Sequence, residues 1–122
     1  MSGERRSSGL IRVPCVRRCS LEIDGSASGT AFLVNVNVLG AYVARDEIPA
    51  LGSRLRCRFQ VPDSEQHVDV AGVVAWQNPR QQHPVHSLPP GFGIKFEELS
   101  AEARERIERI VAEHVARHPE AR

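Results

Sequence analysis

The sequence predicts a mainly β domain: a six-stranded antiparallel sheet curled into a small barrel, with one C-terminal α-helix. Three observations carry this expectation. Between residues 12 and 96, short apolar stretches alternate in and out and are separated by clusters of Gly, Pro, Asp and Asn, the pattern of strands joined by turns. Beyond residue 99 the apolar spacing changes to that of a helix. At 122 residues, with 41% hydrophobic and 25% charged content, the chain has the size and composition of one globular domain.

Residues 1–11 are rich in Gly, Ser and Arg and hold little to bury, so they are expected to form a flexible basic arm. The first strand follows. Val13, Cys15, Cys19, Leu21 and Ile23 share one parity, interrupted by Arg17, and Pro14 suggests that this end lies on a sheet edge or before regular pairing begins. Asp24-Gly25-Ser26 is a turn signal that can run on through Ser28-Gly29. Ala31 to Val36 and Ala41 to Ala44 then read as two strands meeting at a tight connection that contains Gly40.

Asp46 to Gly52 reads as a loop. The next strand turns Leu55, Cys57, Phe59 and Val61 inward and Arg54, Arg56, Arg58 and Gln60 outward. Pro62-Asp63-Ser64 leads into a strand in which Val68, Val70, Val74 and Trp76 share a parity; Gly72 marks a bulge or bend, and Trp76 is expected to anchor one end of the core. Asn78 to Pro90 forms a long loop containing His83 and His86. The last strand, Gly91 to Phe96, turns Phe92, Ile94 and Phe96 to one face.

Ser100 is placed to cap the helix, and Leu99, Ala103, Ile107, Ile110, Val111 and Val115 form an apolar stripe expected to lie on the sheet. Glu102 with Arg106 and Glu105 with Arg109 are spaced to pair along its exposed side. These elements divide the chain into an arm (1–11), a barrel with its helix (12–116) and a tail (117–122).

Several function classes find no support in the residues. There is no glycine-rich phosphate loop, and the five histidines lack a neighbouring nucleophile with a third orienting group, so the protein is expected not to be an enzyme. No thiol or acid near His83 and His86 completes a metal site. Cys15 and Cys19 would stand about 13 Å apart on an extended strand, too far for a disulfide, and with Cys57 they read as small core residues. No apolar run approaches the roughly 20 residues of a membrane span, and the start lacks the apolar segment of a signal peptide, which predicts a cytoplasmic protein.

Charge is distributed unevenly. Arg5, Arg6, Arg12, Arg17 and Arg18 crowd the N-terminal end against Glu4. Arginine's planar fork suits phosphate, so this end is a candidate anion clamp; a solubilising tail with exposed strand positions is the alternative. A net charge of +1 supplies no continuous basic stripe, which makes nucleic acid an unlikely partner. Asn35 and Asn37 precede Gly40. If the backbone is still extended there, their amides leave one face as a polar pair; alternatively they are turn formers bonding nearby backbone groups.

Taken in order, Arg12-Val13-Pro14, Asn35-Val36-Asn37-Val38-Leu39-Gly40, Gly52 before an alternating strand, Val73-Val74-Ala75-Trp76, Pro90-Gly91-Phe92-Gly93-Ile94-Lys95-Phe96 and a closing helix resemble a PilZ domain. The resemblance implies a bacterial cyclic di-GMP receptor or adaptor in which an Arg-x-x-x-Arg arm clamps the ligand and an Asp/Asn-x-Ser-x-x-Gly segment reads a guanine. It assigns Arg12, Asn35, Asn37 and Gly40 to that site, with Arg5 or Arg6 assisting, and implies no catalytic residue, metal or cofactor beyond that ligand. Two positions depart from the pattern: Ser8 stands where the first clamp arginine is expected, and Asn37 where serine is expected. The implied role is therefore a non-enzymatic adaptor, acting on an unknown protein partner of a motility or surface-behaviour pathway, with cyclic di-GMP binding weak or lost. The alternative is a working receptor whose arm closes over the ligand.

Overall fold

The structure, a computed structural model, describes residues 11–80 and 88–118. Six strands precede one helix: β1 (Val13–Ile23), β2 (Ser26–Val36), β3 (Gly40–Ala44), β4 (Arg54–Gln60), β5 (His67–Asn78), β6 (Gly91–Glu97) and α1 (Ala101–Arg117). They close into an antiparallel barrel in the order β1-β2-β3-β6-β5-β4. The alternation that defined the strands becomes their burial. Val13, Cys19, Leu21, Leu33, Val36, Val43, Cys57, Phe59, Val68, Val74, Phe92 and Ile94 fill the interior.

α1 contributes Ala103, Ile107, Ile110 and Val111 to the same core. Ser100 caps it by accepting a hydrogen bond from the Ala103 amide at 3.0 Å. Arg106 bonds Glu102 at 2.9 Å, Arg109 bonds Glu105 at 3.4 Å, and Arg106 also donates to the His67 carbonyl at 2.6 Å, tying the helix to the start of β5. The three cysteines are free and buried. Cys57 and Cys19 are hydrogen-bonded between neighbouring strands β4 and β1; that bond and burial hold the Cys57 thiol well above its ordinary pKa, and the same bond draws Cys19 below it against the opposing effect of burial.

Bulges account for the differences from the sequence expectations. The first hairpin turns on Asp24 and Gly25 alone, both at positive φ (51° and 85°), and β2 begins at once. Ser28-Gly29 is therefore not turn but strand, where the register against β1 shifts between Ser20 and Glu22 and Gly29 takes φ 83°. Gly72 carries no bulge. It stays in register between Leu55 and Phe96, and a Cβ there would meet the Lys95 carbonyl oxygen at 2.4 Å, so glycine serves close strand approach.

The bulge in β5 lies instead between Val74 and Trp76. It turns Trp76 out of the interior and leaves it 44% exposed, correcting the expectation that it anchors the core. Gly93 separates Trp76 on β5 from Tyr42 on β3, and the two rings close over it with centroids 5.5 Å apart. Tyr42 is fully buried beneath this arrangement. Its hydroxyl donates to the Pro89 carbonyl at 2.6 Å and accepts from Asn78 Nδ2 at 3.0 Å.

Candidate functional site

The connection between β2 and β3 is built by one side chain. Asn37 follows the last residue of β2, and its Oδ1 accepts from the Leu39 amide at 2.8 Å and the Gly40 amide at 3.0 Å. The Asn37 amide closes the loop by donating to the Gly40 carbonyl at 2.9 Å, and Phe96 N donates to the Leu39 carbonyl at 2.9 Å, which pins the turn to β6. Asn37 is 3% exposed, so it acts here as a turn former.

Asn35 is placed differently. It lies opposite Pro14 on β1 and Tyr42 on β3, beside a register shift between Leu33 and Asn35. Its Oδ1 is buried and has no hydrogen-bond partner among the described residues. The bulge and the end of β2 at Val36 break the extended geometry on which a same-face pair depended. Asn37 Oδ1 is turned onto the loop backbone, while Asn35 Oδ1 is buried on β2.

Gly40 brings the chain close to its neighbours. A Cβ there would stand 2.1 Å from the Ile94 carbonyl oxygen and 3.1 Å from Arg12 Nη2, so the Arg12 guanidinium reaches over the turn. Partial burial lowers the Arg12 pKa, and no carboxylate pairs with it among the described residues. Lys95 sits opposite Gly40 in the β3–β6 register.

Arg12, Leu39, Trp76, Lys95, Glu98 and Arg104 line a groove of about 430 Å³. Three cations, an exposed indole and one carboxylate make a surface suited to a ligand that combines negative charge with a flat ring. Thus Arg12 and Gly40 come together, Asn37 lies behind the turn, and Arg5, Arg6 and Ser8 lie outside the described residues. Sequence reasoning missed Trp76, Lys95 and Arg104 as groove residues. The run Val73-Val74-Ala75-Trp76 is apolar in both parities, so alternation left the bulge invisible.

His83 and His86 also lie outside the described residues, and among the described residues no group of His, Cys, Asp or Glu is arranged to hold a metal. No described helix is long and apolar enough to cross a membrane.

A closed six-stranded barrel with a C-terminal helix, and an asparagine-to-glycine turn beneath Arg12, define a domain of β-barrel type. A family model for the PilZ domain matches residues 4–113, and the chain belongs to that family. Its fold is similar to that of the Bacillus subtilis inhibitor of motility MotI/DgrA, with a TM-score of 0.67 at 15% identity over 88% of this chain. The match covers 50% of MotI/DgrA, so this chain spans half the length of that protein. No curated protein sequence is similar enough to match.

Proposed function

We propose that this PilZ protein is a non-enzymatic cytoplasmic signalling adaptor in the cyclic di-GMP and motility sphere, working through protein contacts, with cyclic di-GMP binding weak or lost. In this reading residues 1–11 form the arm, 12–116 the barrel unit and 117–122 the tail. The observation that carries it is Asn37. Where the family's motif has serine, this chain has an amide whose oxygen is already taken by two backbone N–H groups, at 2.8 and 3.0 Å. Ser8 adds a second deficit by removing one arginine from the clamp. A missing charged contact and a misplaced hydrogen bond each cost about 1 to 3 kcal/mol, together ~100-fold or more in affinity. The name of MotI/DgrA, an inhibitor of motility, supports the motility assignment as an analogy of fold.

A specific observation favours the second reading, a working receptor. The unpartnered Asn35 Oδ1 could accept from a guanine N–H, and Arg12 stands over Gly40 beside Trp76, placed for a phosphate and a base.

A calorimetric titration with cyclic di-GMP separates the two. The adaptor reading expects no binding tighter than about 100 μM, and a gain of ~100-fold when Ser8→Arg and Asn37→Ser are combined. Micromolar binding by the unaltered protein, abolished by Arg12→Ala, would replace it with the receptor reading.

A further inference from the structure

The barrel is closed, yet its β1–β4 seam is shorter than β1. Strand β1 pairs with β2 along its whole length, from Val13 to Ile23, whereas pairing with β4 begins only at Cys19 opposite Phe59. β4 leaves the sheet after Gln60, because Gln60 pairs with His67 and the Val61 amide turns to the Gln66 carbonyl at 2.8 Å. Among the described residues no backbone hydrogen bond reaches 13–18 from that side. These residues therefore present an open strand edge.

The chemistry around this edge is one-sided. Val16 is 70% exposed and Phe32 50% exposed, with the Arg18 guanidinium 5.8 Å from the Phe32 ring centre. Arg58 lies opposite Ser20 on the neighbouring strand. Arg54 and Arg56 pair with Glu97 and Asp69, but Arg17, Arg18 and Arg58 form no ion pair among the described residues. The edge thus offers main-chain pairing, two apolar side chains and the cations Arg17 and Arg18, with Arg58, which stands opposite Asp69 on β5, beside it.

We infer that the 13–18 edge of β1 docks an extended acidic segment of a partner protein as an added strand. The segment's backbone pairs with β1, its carboxylates meet Arg17, Arg18 and Arg58, and an apolar residue covers Val16 and Phe32. Pro14 has no N–H, so pairing is confined to the stretch beyond it. A second copy of this chain fits poorly, because its own edge brings Arg17 and Arg18 and no acidic residue between 13 and 18 to meet them. The inference rests on the adaptor reading and gives it a surface. Its test uses no cyclic di-GMP, so the two fail separately.

The probe is a short fluorescent peptide of alternating glutamate and valine, titrated into the full chain by anisotropy, with amide hydrogen exchange read at each residue. Saturable binding with protection at Val16, Arg17 and Arg18 is expected. Affinity should fall at least about ten-fold with Arg18→Glu, and equally when alternate peptide amides are N-methylated, a change that leaves the protein untouched. No binding would overturn the inference. So would undiminished binding of the N-methylated peptide or of a lysine-valine peptide, or protection of the same amides by self-association alone.

Discussion

Two asparagines separated by one residue do opposite work at the β2–β3 connection. Asn37 satisfies two amides of a buried turn, so Asn37→Ala leaves both without an acceptor and should lower stability by about 1 to 3 kcal/mol in urea unfolding. Asn35 Oδ1 has no partner among the described residues to lose, and Asn35→Ala should change stability by less than about 1 kcal/mol. A loss at Asn35 equal to that at Asn37 would contradict this division. The residues were legible in the sequence, and so were both readings of Asn37, as turn former and as ligand contact. Choosing between them required knowing where β2 stops, since the last strand residue decides whether a following side chain points outward or folds back.

At the scale of elements, register and bulges set the surface. β3 and β6 approach so closely at Gly40 that an added methyl would enter the Ile94 carbonyl at 2.1 Å. Gly40→Ala should therefore cost about 2 to 4 kcal/mol, read as a fall in the denaturation midpoint. Gly93 is the contrast within the same sheet. A Cβ there would stand 3.5 Å from Trp76, an ordinary contact, so Gly93→Ala should stay within about 1 kcal/mol of the parent. Equal losses at the two glycines would show that strand propensity rather than backbone approach governs both. Strand number and helix were readable because their periodicities are long and regular. The β5 bulge was not, because Val73, Val74 and Ala75 are apolar on both faces and a one-residue insertion leaves no compositional trace.

At the scale of the whole molecule, Tyr42 links the barrel to the chain at Pro89 and couples the fold to alkaline pH. Burial raises its pKa above the ordinary value near 10, partly opposed by the hydrogen bond from Asn78. The folded protein then keeps a proton that the unfolded chain releases. The associated stability is complete below about pH 10 and is lost as pH rises through the folded value. Cys57 and Cys15, held up as well, contribute slopes of the same sign, and Cys19, drawn down, contributes one of the opposite sign. Tyr42→Phe should leave those thiol contributions and flatten the remaining alkaline loss in thermal unfolding followed from pH 8 to 11; an unchanged slope would remove Tyr42 as its source.

The strands, the capped helix, the buried thiols and the PilZ family could be read along the chain, since each depends on local periodicity, turn chemistry or residue order. Arg12 and Gly40, which the sequence assigned to one candidate site, stand next to each other in the fold. It took the folded arrangement to show that Asn37 Oδ1 is bonded, that Asn35 Oδ1 has no partner among the described residues, that Trp76 faces outward beside Lys95 and Arg104, and that β1 overruns β4. These outcomes turn on which residues stand opposite one another across strands far apart in the chain. A single bulge reverses a face without altering the pattern that predicts the strand.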